Sequence, residues 1–540
     1  MALKVVIPAA GIGSRLGSAT KYIPKALVAV HNRPLISYII DSYPNDTNFV
    51  IGLGYKGELI REYISLAYSE NERRFAFCNV DIYSGPGSGI GRTLLACSGH
   101  LDVPFIMHSC DTLVKNRIPT PDYNWMGISQ TNDLNSYRMV NRVDKKWILH
   151  EKSSCKSHPA WAYIGLCGIK DSEDFWDCIK DIVSKETNSG EAEVLQNMCR
   201  ESRIECINFD WCDAGNTESM KQAEKFLNSD CEANILPKAN EAIWLLEKKV
   251  IKFSTDQDFI CKRVSRSLSL QGYIPEILGS TKFMYSYKRV NGQILSGCLS
   301  VKIFKKLLEW LESFWFRDCA KLERDQRPNY KDINSFYLEK TCRRIQEYLV
   351  SSAAGREFSV INGRYIPCVM NIIEELDWAS LAEIVPCSFH GDLHPENILY
   401  DEVNDEFILL DWRHDFAGHG EVGDLYYDLG KLLHGLIMSH KVVVDNDFVI
   451  DFGEDSVDFK FKRSDISVDC ANVLKEWCAR NGLGYERVNI MASLIFLNIA
   501  ALHHKPYCHL LFNLGKYMLY DAIAGSSNLD SVVEYSDKEQ

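Results

Sequence analysis

"LKVVIPAAGIGSRLGSATKYIPK", residues 3 to 25, runs from an apolar, β-branched stretch straight into a loop with glycine at 11, 13 and 17. The first part has the continuous hydrophobicity of a strand buried on both faces, as in the middle of a parallel sheet. The loop is built to cradle phosphate. Gly11 and Gly13 let main-chain N–H groups come close to phosphate oxygens, with Ala10 and Ser14 beside them, while Arg15 and Lys25 supply full positive charges. This strand-to-loop junction predicts an α/β unit that binds a nucleotide.

The rest of the chain is long enough for a second unit. At 540 residues it exceeds one ordinary core, and 46% hydrophobic, 25% charged and 11% aromatic residues are globular proportions. A net charge of −13 argues against a generally basic surface for nucleic acid or anionic lipid, so small anionic ligands are the expected partners. The 19 cysteines are scattered with no C-x-x-C pair, which predicts reduced thiols in cytoplasm and neither zinc ribbon nor disulfide framework. The longest apolar run, "IMASLIFLNIAAL" from Ile490, is too short to span a bilayer and predicts a core helix. No membrane and no nucleic acid partner is expected, and a homo-oligomer is compatible with the composition.

A single glycine loop is weak evidence, but the landmarks after it come as an ordered set. Pro24-Lys25 follows Arg15, and "GPGSGIGRTLLA" (Gly85 to Ala96) is a second glycine loop carrying Gly85 and Gly87. "VPFIMHSCDTLV" sets Asp111 at the end of an apolar strand, "ILHEKSS" carries Glu151 and Lys152, and "AWAYIGLCGI" carries Gly165. "FDWCDAGNTESMKQAEKFL" then has Asp213 in a W-x-D-x-G-x-x-E-S pattern. Over residues 1 to 228 this order resembles the nucleotidyltransferases that make NDP-sugars and CDP-alcohols. The resemblance implies a Rossmann-like domain in which Asp111 and Asp213 hold catalytic Mg²⁺. It further implies that Arg15 and Lys25 grip the leaving pyrophosphate and the acceptor phosphate, and that Glu151, Lys152 and Gly165 meet the substrate. Ser153 stands where that family has proline. Cys110 and Cys212, beside the proposed ligands, read as small buried residues, because Mg²⁺ takes oxygen. Glu191 and Glu193 fit either a substrate approach or an exposed helix start.

A polar stretch with a proline, "LNSDCEANILPKANE", predicts a linker, with domains at 1–232 and 238–540. Beyond it "EAIWLLEKKVIKFS", "YIPEILG" and "FMYSYKRVNGQIL" read as strands of a small sheet, and "VKIFKKLLEWLESFWF" as an amphipathic helix. "HGDLHPENIL" (390 to 399) then gives His390, Asp392 and Asn397 in H-x-D-x-x-x-x-N, and a hairpin-like segment leads to Asp411. With "GDLYYDLGKLLHG", these residues resemble the aminoglycoside phosphotransferase and choline kinase superfamily, a two-lobed α+β protein-kinase-like fold. The resemblance implies that Asp392 takes the proton of a substrate hydroxyl and that Asn397 and Asp411 hold Mg²⁺ between the phosphates of ATP. His390 is then a buttress of the loop and Asp428 a buried brace. The ATP-gripping lysine is read as Lys252, with Lys249 and Lys262 as alternatives. His394 and His414 invite a zinc site, although the kinase pattern already accounts for the loop.

One expected site makes a phosphomonoester and the other uses one as nucleophile. The combined reading is an enzyme that phosphorylates a sugar or other small alcohol with ATP. It then transfers a nucleotidyl group from a second NTP, CTP or UTP favoured, to make an NDP-activated precursor for surface glycan or capsule. Two alternatives stand beside it: choline kinase fused to a phosphocholine cytidylyltransferase, and a non-catalytic nucleotide sensor.

Overall fold

The structure is a computed structural model. It describes residues 2–69, 73–133, 135–144, 146–154, 160–185, 190–228, 240–317, 327–351, 357–525 and 533–535. Packing divides the chain into two compact units, Met1–Ile260 with Ile277–Arg289, and Cys261–Glu276 with Val290–Gln540.

In the first unit the opening run forms strand β1 (Lys4–Ala9), with Val5, Val6 and Ile7 fully buried. It pairs in parallel with β2 (Asn48–Leu53), which leads into helix α1 (Gly57–Ala67) and on to the parallel edge strand β3 (Arg74–Asn79). On its other side β1 pairs in parallel with β4 (Phe105–His108). Next come β5 (Thr112–Val114), β6 (Trp125–Gln130), β7 (Met139–Val143), β8 (Lys146–Leu149) and the long β9 (Trp161–Ile169). Helix α2 (Glu191–Arg200) and strands β10 (Glu205–Asn208) and β11 (Trp211–Asp213) complete the set. The sheet order is β8-β7-β9-β4-β1-β2-β3, with β6 joined to β9 and β10 to β6. The loops after β1, β2, β3 and β4 all leave from the carboxyl edge of the parallel strands, where open α/β sheets bind ligands. This is the Rossmann-like α/β fold. A separate two-stranded ribbon pairs β11 with β5 and sets Asp213 opposite Thr112, next in the chain to Asp111.

The same unit takes in a small antiparallel sheet: β12 (Glu241–Leu245), β13 (Lys249–Ser254), β14 (Ile277–Ser280) and β15 (Met284–Lys288), in the order β12-β13-β15-β14. Its alternating apolar face covers α1. Trp244 meets Tyr63 edge to face at 5.1 Å, and Trp244, Phe253 and Met284 belong to one core with Ile60 and Tyr63. Glu62 accepts from Thr281 Oγ1 at 2.7 Å and Phe283 N at 3.0 Å, and Lys249 Nζ donates to the Leu66 carbonyl at 2.8 Å. The division by packing therefore does not follow the expected split into 1–232 and 238–540. The small sheet counts with the first unit because its core residues interlock with α1. The expected linker falls largely on residues 229–239, outside the described residues.

The second unit is mostly helical. It draws on helix α3 (Gln257–Ser267) from residue 261, and on α4 (Val301–Trp315), whose apolar stripe buries Phe304, Leu307, Leu308 and Leu311. Helix α5 (Lys340–Ser351) follows a short π-helical turn over Ser335–Glu339. The hairpin β16 (Ile398–Asp401) and β17 (Glu406–Leu409) flanks the loop at 390–397. Helix α6 (Leu425–Ile437), α7 (Tyr485–Ala500) and α8 (Tyr507–Ile523) make the core, and α7 contains the "IMASLIFLNIA" run. The helical bundle that carries the 390–397 loop and its hairpin is the kinase-like C-terminal part of the chain. Among the described residues the cysteines are free, and no helix is long and apolar enough to cross a membrane.

Candidate active sites

At the carboxyl edge of the first sheet, the loop after β1 is shaped by Gly13. Its φ is 72°, and a side chain there would meet Lys25 Cβ at 2.9 Å. That close approach packs Lys25 against the first glycine loop. Gly11 makes no such contact and lies exposed with Ser14 and Arg15, leaving the loop's outer face open. The second glycine loop comes to the same place, since Ala10 Cβ and Tyr83 Cβ both lie 2.8 Å from where a methyl on Gly54 would stand. In that second loop Gly85 and Gly87 have φ of 78° and 76°, and Arg92 Nε donates to the Gly87 carbonyl at 2.9 Å.

The structure brings Asp111 and Asp213 together. A Cβ on Gly215 would lie 3.0 Å from Asp111 Oδ2 and 3.0 Å from Asp213 Oδ1, so both carboxylates converge on a spot that only glycine leaves clear. The Ala214 N–H donates to the Asp111 carbonyl at 2.9 Å and fixes the turn. Lys25 Nζ is ion-paired with Asp111. Burial works against the Asp111 charge, but Lys25 outweighs it and holds the carboxyl below its usual range. Burial and then the Asp111 charge push Asp213 up instead. Two hard-oxygen donors facing each other, one of them destabilised by its neighbour's charge, fit a Mg²⁺ ion. Cys110 and Cys212 are buried thiols pushed up to about 11, first by burial, which suits packing and not ligation.

Of the other expected contacts, Glu151 is ion-paired with Arg138, and Lys152 is exposed beside it. Gly165 accepts from Ser109 N at 2.9 Å, two residues before Asp111. Glu191 is not an exposed helix start. It is 7% exposed at the first position of α2, and burial pushes its carboxyl up.

In the second unit the loop at 390–397 is built on α6. Asp428 accepts from His390 N and Gly391 N, each at 2.7 Å, and from Trp315 Nε1 at 3.1 Å. One turn on, Lys431 Nζ reaches Asp392 Oδ1 at 2.9 Å. A single helix face thus braces the loop backbone and holds the Asp392 carboxylate. His390 is fully buried with Nε2 bonded to the Leu410 carbonyl at 2.7 Å, joining the loop to the segment before Asp411. Burial disfavours the Asp392 charge, but Lys431 and then His394 overcome this and hold it well below the ordinary range. Asn397 Nδ2 donates to the Asp392 carbonyl at 2.9 Å, which leaves its amide oxygen for another role.

Asp411, at φ 59°, turns its carboxylate to Arg263 of α3, Nη1 to Oδ1 at 2.8 Å. Neither Arg263 nor Lys431 stood out in the sequence. The signals were a basic residue on the helix after the Lys252 strand and a lysine three residues beyond Asp428. Lys252 is buried in β13, Lys249 is engaged by α1, and Lys262 is exposed. The two histidines of the imagined zinc site have different partners: His394 Nδ1 lies 3.0 Å from Glu396, and His414 Nε2 lies 3.4 Å from Asp415. His394, Glu396 and His440 do bring ligand-type atoms within 4.8 Å of one another.

Residues 325–458 match the phosphotransferase enzyme family. The phosphotransferase segment holds Asp392, Asn397, Asp411, Asp428 and Lys431, while Lys252 and Arg263 lie before it. In the N-terminal part the similarities are to nucleotidyltransferases. A probable glucose-1-phosphate cytidylyltransferase of Bacillus subtilis (strain 168) is 40% identical over 63 residues, 11% of this chain and 25% of that protein. A UTP–glucose-1-phosphate uridylyltransferase of Mycoplasma pneumoniae is 55% identical over 38 residues, 7% of this chain and 13% of that one. The matched segments thus span a quarter or less of these relatives. Among solved structures, a putative glucose-1-phosphate thymidylyltransferase from Bacillus anthracis aligns over 44% of this chain and 98% of its own, with 19% identity and a TM-score of 0.38.

Proposed function

We propose that this chain is a bifunctional enzyme in which the phosphotransferase segment phosphorylates a small alcohol with ATP and the N-terminal site joins the product to a nucleotidyl group. The observation that carries the reading is the convergence of Asp111, Asp213 and Lys25 beside a phosphate loop, in a chain that also holds Asp392 and Asn397 on one braced loop. The domains 1–232 and 238–540 are the corresponding functional division.

In the kinase step Asp392 accepts the hydrogen bond of the acceptor hydroxyl and takes its proton as oxygen attacks the γ-phosphorus. Lys431 fixes that carboxylate in place, and Lys252 is the candidate for gripping ATP. In the second step a phosphate oxygen of the product attacks the α-phosphorus of an NTP in line, and pyrophosphate leaves. Lys25 orients the acceptor phosphate and Arg15 the departing one. Ala10, Gly11, Gly13, Ser14, Gly85 and Gly87 line the NTP, and Glu151, Lys152 and Gly165 the sugar or alcohol side. Asp111 with Asp213, and Asn397 with Asp411, would hold Mg²⁺, which supplies neutralisation of phosphate charge. No general base is needed at the first site, because the acceptor phosphate is already ionised.

The glucose-1-phosphate relatives support a sugar phosphate as acceptor and CTP or UTP as donor, hence an NDP-activated precursor of the kind that surface glycans and capsules consume. The test is incubation of the full chain with ATP, each NTP in turn and a panel of sugars and small alcohols, with products identified by mass. An NDP-linked product that needs both nucleotides supports the reading. Phosphorylation without nucleotidyl transfer at any NTP would remove the second step.

A further inference from the structure

In the second unit Lys340 and Arg413 gather about the Phe336 ring, which packs on Tyr427, one turn of α6 before Lys431. Lys431 is spent on Asp392 at 2.9 Å. Beyond it, the Phe336 ring is shared by two cations, Lys340 Nζ at 4.3 Å from the centroid and the Arg413 guanidinium at 5.3 Å. The same ring packs edge to face on Tyr427 at 5.2 Å, and Tyr427 stands on α6 one turn before Lys431. Arg413 has Asp415 at 4.0 Å, and Arg344, on the next turn of α5, is paired with Glu347 at 2.6 Å. Among the described residues no ion pair involves Lys340. Phe336 and Lys340 lie in and just after the π turn at Ser335–Glu339, a helix irregularity that recurs at functional positions.

The electrostatics agree with the geometry. Burial pushes Lys340 down to about 8, and Arg413, Lys431 and Arg344 add to that against the Tyr427 phenol. Burial would raise Tyr427, yet Lys340, Lys431 and Arg413 bring it below its ordinary value. A half-buried ammonium with no ion-pair partner among the described residues, on the far side of Tyr427 and Lys431 from Asp392, calls for an anion from the ligand.

We propose that the kinase acceptor is an anionic alcohol, a hydroxy acid or sugar acid or an alcohol that already carries phosphate, held through its anionic group by Lys340 and Arg413. This rests on the kinase reading above and narrows it: neutral sugars and quaternary amines are poorer acceptors. The transfer balances as before. The acceptor oxygen bonds to the γ-phosphorus, the bond from that phosphorus to the bridging oxygen of ADP breaks, Asp392 takes the hydroxyl proton, and ADP leaves with the electron pair.

The test uses the full chain with ATP and matched acceptors: glycerate and glycerol phosphate against glycerol, glucuronate and glucose 6-phosphate against glucose, and choline. The expected result is a kcat/KM at least about tenfold higher for the anionic member of a pair. Lys340→Gln should remove that gap by raising acceptor KM with ATP KM unchanged, and Lys340→Arg should restore part of it. The carboxylate and phosphate arms tell which anion is taken. Preference for glycerol, glucose or choline overturns the inference and leaves the kinase reading standing, as does a Lys340→Gln effect confined to ATP KM. If no acceptor is phosphorylated, calorimetry with the same anions decides. Binding that Lys340→Gln abolishes keeps the anion site while the kinase reading falls, and no binding by any of them overturns the anion site.

Discussion

At Asp111 and Asp213 two carboxylates share Lys25, with the exposed Arg15 further out on the loop, whereas Asp392 and Asp411 each have a cation of their own, Lys431 and Arg263. The first site is left short of positive charge, and Asp213 is raised by burial and by its neighbour. The second site has its charge in place and carries Lys340 in excess. The same residue type therefore does different work in the two units: a pair that needs an added cation, and a carboxylate set already neutralised by the fold. The difference follows from what faces each aspartate. In the first unit it is a backbone turn at Gly215, and in the second it is a pair of helices that bring long basic side chains.

The sharpest way to break the comparison is at the cation-poor site. Asp111→Ala or Asp213→Ala should lower pyrophosphate release from a phosphorylated acceptor by roughly 10³-fold or more, while ATP-dependent phosphorylation continues. A coupled pyrophosphate assay checks this, and activity that survives in both variants would remove the site. Gly215→Ala is a milder version. Its methyl would stand 3.0 Å from an oxygen of each carboxylate, so nucleotidyl transfer should fall at least about tenfold with both acids still present.

At the cation-rich site, Asp392→Asn should lower kinase kcat by about 10²-fold while ATP KM stays nearly constant, because Asn397 and Asp411 remain. Initial rates against ATP and acceptor separate the two parameters, and wild-type turnover would cancel the kinase assignment. A smaller effect is expected from Arg263→Gln. This change removes the Arg263 ion pair of Asp411, so the Mg²⁺ concentration for half-maximal kinase rate should drop by roughly threefold to tenfold. An unchanged Mg²⁺ dependence would mean that the Arg263 pair does not compete with the metal.

The smallest expected effect is in pH. Burial has brought Lys340 down to about 8, so its charge is present below that value and is lost as pH rises through it. Acceptor KM for an anionic alcohol should therefore be flat on the neutral side and climb above about pH 8, with no such climb in Lys340→Gln. A matching climb in the variant would assign the titration elsewhere.

Much of this was legible along the chain. The strand at Lys4–Ala9, the two glycine loops, Asp111, Asp213 and the H-x-D-x-x-x-x-N loop are local signals. Each is a residue type at a fixed spacing; the fold brings Asp111 and Asp213 to one spot at Gly215 and braces the 390–397 loop on α6. What was not legible depends on partners far away in sequence. Lys431 and Arg263 meet Asp392 and Asp411 only when α6 and α3 come to the 390–411 segment, and no periodicity reports that. Glu191 read equally well as an exposed acid at a helix start, because that is where such residues usually stand, but its first turn is buried against the sheet. The small sheet was read correctly as strands. Its attachment to α1 through Trp244 and Tyr63 was hidden, because an alternating apolar face says that something covers it and not what.

The account turns on one transferred phosphate. With ATP labelled by heavy oxygen in its γ-phosphoryl group, a second NTP and an accepted alcohol, the intact chain should release an NDP-linked product whose alcohol-bearing phosphate carries the label, with the pyrophosphate unlabelled. Label in that phosphate, lost in Asp392→Asn and regained when a prelabelled alcohol phosphate is supplied, is the predicted mass-spectrometric result. An NDP-linked product formed from the alcohol without the label, or labelled alcohol phosphate that the N-terminal site never consumes, would contradict the claim that the two sites act in sequence.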